Sequence, residues 1–154
     1  EKDASRAVAS LYVVEALRQG GYDVADPGRV DKVLETRRVR DLSAVDGETL
    51  AALGETLDVQ GILAGAVVEY ALRTRDGKEI PVVGVSTRLI EPKTGRILWV
   101  GSHFRDGADH ETVFGWGRET SLARVAQEVV SDLVGRMTHE LASKRKLEPA
   151  PKKK

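Results

Sequence analysis

The sequence contains no cysteine, so disulfides and thiolate metal sites are excluded. That absence does not fix a compartment, because an oxidising compartment requires no disulfides. The chain carries no net charge at pH 7, so no global field recruits nucleic acid or acidic lipid. It has no apolar run near the roughly 18 to 20 residues that a helix needs to span a bilayer. Aromatics make up only 5% of the residues. There is no internal repeat, and low complexity is confined to the last residues.

What remains is 154 residues, enough for one domain with a core. Hydrophobic residues at 41% and charged residues at 31% are ordinary for a globular protein. The charge is unevenly spread. Lys144, Arg145, Lys146, Lys152, Lys153 and Lys154 against Glu148 put about +5 on the last residues and leave about −5 on the rest. We therefore expect a domain over 1–143 and a basic, disordered tail over 144–154. The chain begins at Glu1, not Met, and an N-terminal segment removed by processing or truncation is expected.

The stretch from Gly61 to Arg105 organises the chain. It reads as three strands joined by two turns. Val59 to Arg73 alternates, and its beginning is apolar on both faces, as in a strand buried in a sheet. Asp76-Gly77 is a hairpin signal. Pro81 to Glu91 is the second strand, with Val83, Val85, Thr87 and Leu89 on one face. Pro92-Lys93-Thr94-Gly95 is the second turn. Arg96 to Arg105 is the third strand.

Helices flank this meander. Ala4 to Arg18 has helical apolar spacing and stops at Gly20-Gly21. Tyr22 to Ala25 is a short strand candidate. Asp26-Pro27 opens a second helix, and Asp46 caps a third over Gly47 to Leu57. A long helix from Arg118 to Ser143 carries Leu122, Val125, Ala126, Val129, Leu133, Met137 and Leu141 on one stripe. The fold class is α+β: an antiparallel meander plus a short additional strand, packed by three to four helices in two or three layers.

No catalytic signature is present. Asp31, Glu35, Glu48 and Glu55 read as solvated helix faces, and nothing pairs them for acid–base work. Ser102 and Ser121 lack a nucleophile-elbow setting. Gly61-x-x-x-Gly65 lies inside a strand and lacks the Lys-Ser/Thr of a phosphate loop. His103, Asp109 and His110, with Glu111, are the candidate metal ligands, and their spacing matches no metal motif. A polar loop is the plainer reading. Phe114-Gly115-Trp116-Gly117 sets two of the scarce aromatics in a glycine-flanked loop. With Arg118 they are candidate partner-binding residues. The plainer reading is that they cap the sheet edge or plug the core under the last helix. The lysine tail has no interleaved aromatics, so it is no nucleic-acid platform.

Taken in order, QGGYDV, LGETLDVQGILAGAVVEY and VSTRLIEPKTGRILWVGSHF resemble the domain shared by CsgG, LpoB-type lipoproteins and the TolB N-terminal region. The resemblance spans about residues 4 to 142. It implies an α+β domain in the bacterial envelope that acts by protein–protein contact or self-association, without cofactor or catalytic residues. It further implies a periplasmic location, with a lipid anchor upstream of residue 1 at the outer membrane, and a role in secretion or envelope assembly. Family domains usually begin with an apolar strand before the first helix; here the sequence starts almost directly in the helix, so the expectation is either that this strand was cut away or that the sheet has one strand fewer. CsgG-type pores also carry long membrane-inserting hairpins, and only the core strands here are long. The alternative function is a small-ligand or metal-binding domain using residues 103–117. Nucleic acid is not an expected partner.

Overall fold

The computed structural model describes residues 2–39, 46–108 and 121–147. Helix α1 covers Lys2–Glu15 and continues as a wider π-helical turn over Ala16–Gly20. Helix α2 (Pro27–Thr36) and helix α3 (Gly47–Leu57) follow. Strands β1 (Ile62–Arg75), β2 (Lys78–Ile90) and β3 (Ile97–Asp106) form an antiparallel sheet in the order β1-β2-β3. Helix α4 (Leu122–Leu147) closes the chain. The class is α+β, as the sequence implies.

Local chemistry explains the boundaries. Asp26 Oδ1 accepts the Arg29 N–H at 3.0 Å with Pro27 at the first helical position, and Asp46 Oδ1 accepts the Thr49 N–H at 2.7 Å. Both are N-caps of the expected kind. Asp76 and Gly77 both take positive φ, at 53° and 73°. That is the backbone of a two-residue hairpin turn whose twist suits the strands.

Three expectations are corrected. Tyr22–Ala25 has no regular secondary structure and pairs with no strand among the described residues. The Tyr22 hydroxyl donates to Thr138 Oγ1 at 3.3 Å, so the segment is fixed to α4 and not to the sheet. Second, among the described residues β1 is an edge strand, and most of it is partly or fully exposed. The strand buried on both faces is β2, which is hydrogen-bonded on both sides and buried from Ile80 through Val85. Third, α4 continues to Leu147, so Lys144 belongs to the helix and not to a tail. The connector over 42–45 lies outside the described residues.

One face of the sheet is covered by α1 and α4. Val125, Ala126, Val129, Val130, Leu133, Val134 and Met137 of α4 pack with Val8 of α1 on Val83, Val85 and Trp99. Val130 and Val134 widen the stripe beyond the seven residues read from periodicity. Tyr12 and Thr87 join across this layer, hydroxyl to hydroxyl, at 2.6 Å. Burial raises the Tyr12 phenol above its ordinary pKa against that hydrogen bond, so it stays neutral. A Cβ on Gly101 would lie 2.2 Å from the Trp99 ring and 3.1 Å from Leu133, so only glycine fits there.

Among the described residues the other face carries α3 at one end. Leu50 packs with Ala64, Ile90 and Ile62. Gly54 sits close against Pro92 in the β2–β3 turn, where a Cβ would come within 2.5 Å.

A polar clasp ties α1 to α4. Glu15 is only 1% exposed. Its Oε2 accepts from Gln19 Nε2 at 2.6 Å and from Arg18 Nη2 at 2.6 Å. Gln19 Nε2 also donates to Ser131 Oγ at 2.8 Å. The π-helical turn carries Arg18 and Gln19 and so brings this set together. The Gln19 hydrogen bond holds the Glu15 carboxyl below its ordinary pKa, burial opposes it, and Arg18 assists.

Two outcomes follow from the packing. Gly101→Ala forces the Trp99 ring off Leu133 and lowers unfolding stability by about 1–3 kcal/mol, measured by urea denaturation. A carboxyl held below its unfolded value stabilises the fold above that value, and the contribution is lost as pH falls through the folded pKa. Urea midpoints of the wild type therefore fall between pH 7 and the acid range, and Glu15→Gln shows a shallower fall over the same window.

Candidate functional site

Helix geometry places residues four apart on one face. Glu128, Asp132 and Arg136 therefore line one side of α4, and that side runs along β3. On β3, His103 and Arg105 alternate toward the same helix. Arg105 Nε lies 3.3 Å from Glu128 Oε2, and its Nη1 lies 3.7 Å from Asp132 Oδ2. His103 Nε2 lies 3.3 Å from Asp132 Oδ2 but has no hydrogen-bond geometry to it. The result is a charged seam between sheet and helix. The sequence offered a signal for it, the four-residue spacing of charges on α4, which a reading of the apolar stripe alone passes over.

The same side of α4 covers the free edge of β3. Arg136 Nη2 donates to the Ser102 carbonyl at 2.9 Å, and Lys144 Nζ donates to the Leu98 carbonyl at 3.0 Å. Cations that occupy outward carbonyls obstruct the addition of another strand.

The second face of the sheet is different. Beyond the part under α3 it exposes large apolar side chains. Val68 is 71% exposed, Val100 63%, Phe104 56% and Ile97 52%. The pairings Gly84↔Phe104 and Arg88↔Val100 put two of these on the face opposite α4, because residues directly across a sheet share a face. A register shift between Leu89 and Ile90 brings Ile97 opposite Ile90, on that same face. The irregularity in β1 between Val67 and Glu69 leaves Val68 beside Gly84 and Phe104. An open depression of about 240 Å³ lies here, lined by Val68, Gly84, Val85, Ser102, His103 and Phe104.

The sequence-predicted residues distribute as follows. Asp31 and Glu35 are exposed on α2, and Glu48 and Glu55 are exposed on α3. The Ser121 hydroxyl accepts the Arg124 N–H at 3.4 Å at the start of α4. Gly65 lies within a strand, where a Cβ would come 2.7 Å from the Ser86 carbonyl. Of the candidate metal ligands His103 is described, on β3. Asp109, His110 and Glu111 lie outside the described residues, as do Phe114, Trp116 and Arg118.

The seam makes a quantitative distinction. Arg105 is mostly buried between two carboxylates, whereas the Arg73–Glu69 pair on β1 is exposed on its arginine side. Arg105→Met leaves Glu128 and Asp132 facing each other, and we expect a loss of about 1–3 kcal/mol in urea unfolding. Arg73→Met should change stability by less than about 1 kcal/mol.

No family model matches the sequence, and neither does any curated protein. Solved structures do. The PelC dodecamer from Paraburkholderia phytofirmans is 21% identical with a TM-score of 0.58, covering 88% of this chain and 76% of that one. Lipoprotein GNA1162 from Neisseria meningitidis is 18% identical with a TM-score of 0.52, covering 86% of this chain and 80% of that one. The LpoB C-terminal domain from Salmonella enterica, at 12% identity, reaches a TM-score of 0.40 over 57% of this chain and 59% of that one, too slight to bear on the fold. At these identities the likeness is one of architecture: the chain shares its fold with PelC and with lipoprotein GNA1162.

Proposed function

We propose that this chain is a non-enzymatic accessory domain of a bacterial envelope lipoprotein, held at the outer membrane on its periplasmic side. It works through protein–protein contact in secretion or envelope assembly and associates with copies of itself. The observation that carries the reading is the shared fold, over most of the chain, with a protein that forms a dodecamer and with a lipoprotein. The motif resemblance to CsgG, LpoB and TolB points the same way. An exposed apolar sheet face is a further support, since such faces are favoured contact surfaces. Phe114, Trp116 and Arg118 stay in the proposal as contact residues.

Fractionation of cells that make the full-length precursor tests the location. The protein is expected with the envelope, labelled by a radioactive fatty acid. Recovery in the cytoplasm alone, without label, contradicts it. Sedimentation velocity over a range of concentrations tests the association: a mass that rises above the 16.8 kDa of one chain is expected.

A further inference from the structure

We propose that Asp76, at the tip of the β1–β2 hairpin, is a modification site: it isomerises to isoaspartate and so becomes a substrate for a carboxyl methyltransferase that uses S-adenosylmethionine. The chain has three Asp-Gly steps, Asp46-Gly47, Asp76-Gly77 and Asp106-Gly107. Glycine after aspartate favours the reaction, because no side chain hinders attack by its backbone nitrogen. The fold protects two of the three steps and leaves the third open.

The chemistry sets the requirements. The Gly77 nitrogen attacks the side-chain carbon of Asp76, Cγ. A Cγ–N bond forms and a Cγ–O bond breaks. The oxygen leaves as water, carrying the carboxyl proton and the amide proton. Water then opens the five-membered imide at the main-chain carbonyl carbon of Asp76, and the chain thereafter runs through Cβ and Cγ. No oxidant, reductant or cofactor is consumed. The glycine N–H must therefore be free of a hydrogen bond, the carboxyl must be free to take a proton, and the backbone must have room to turn.

Two steps fail these requirements. Asp46 Oδ1 accepts the Thr49 N–H at 2.7 Å, which holds that carboxyl below its ordinary pKa, and Gly47 is the first residue of α3. Asp106 Oδ1 accepts the Ala108 N–H at 2.8 Å, and its Oδ2 lies 3.6 Å from Arg75 Nη2. The Gly107 N–H donates to the Pro81 carbonyl at 2.8 Å, and Gly107 is buried.

Asp76-Gly77 meets all three. Arg75 pairs with Lys78, so the Gly77 N–H lies in the two-residue turn and outside the strand ladder. Among the described residues the Asp76 carboxylate has no hydrogen-bond or ion-pair partner. Every residue from Leu72 to Glu79 is exposed, so the tip opens locally while the core stays packed. Asp76 also sits at a φ of 53°, in the left-handed region that costs a residue with a Cβ, and opening relieves that cost. Isoaspartate adds one main-chain atom to a turn that two residues otherwise close.

Wild-type protein incubated folded at neutral pH tests the assignment. A purified isoaspartyl methyltransferase with radiolabelled S-adenosylmethionine reads the modification, and mass spectrometry of peptides locates it. We expect at least tenfold more isoaspartate at Asp76 than at Asp46 or Asp106. In the urea-unfolded chain all three should accumulate it at similar rates, because the protection is structural. Asp76→Glu should abolish methyl acceptance by the folded protein, since the larger ring closes slowly. Isoaspartate forming in the folded protein as fast at Asp46 or Asp106 as at Asp76 overturns the proposal. So does its absence from Asp76 over a time in which the unfolded chain accumulates it.

Discussion

A sheet of three strands does not hold itself together in water. It needs an apolar layer on at least one face. Here α4 supplies that layer, and the remaining features depend on it. Its wide stripe buries Val83, Val85 and Trp99 on the α4 side of β2 and β3, and every core valine on that stripe is inaccessible to solvent or nearly so. The helix also carries the charges that meet His103 and Arg105, the cations that occupy the β3 edge, and Ser131 and Thr138, which receive Gln19 and Tyr22 from the first part of the chain.

That division of labour explains the asymmetry of the molecule. The apolar side of α4 fixes the sheet, and its polar side fixes α1 and the edge of β3. Among the described residues the opposite sheet face receives α3, anchored at the Pro92 turn through Gly54 and at Ala64 through Leu50. Elsewhere on that face Ile80 and Val82 are buried, whereas Val68, Val100, Phe104 and Ile97 stand in solvent. Burial of such side chains is worth about 25 cal/mol per Å², so an exposed row of them is a driving force for contact.

Much of the fold was legible because its signals are local. Asp26-Pro27, Asp46 and Asp76-Gly77 each act through their own backbone neighbours, and each is found where the sequence places it. The stripe on α4 was legible because its period is helical. What stayed hidden is non-local. Strand order made β2 the central strand, and the apolar start of β1 does not reveal that β1 is an edge. Tyr22 to Ala25 has a strand-like composition, yet its partner is a helix 116 residues away. The candidate surface was hidden for the same reason. Val68, Val100 and Phe104 become neighbours on one face only through the register of three strands and an irregularity near Val68. The proposed envelope setting has its sequence support in the motif resemblance alone, since those motifs are structural and carry no chemistry.

The central claim is that α4 closes one face of the sheet and leaves an apolar row on the other, which the proposed self-association covers. Carbene footprinting read by mass spectrometry tests it without altering the chain. Labelling of Ile97, Val100 and Phe104 is compared at nanomolar and at high micromolar protein. The account predicts that label on these three residues falls as concentration rises, while label on Val14 and Leu17 of the first helix stays constant. Equal labelling of the stripe at both concentrations would contradict it.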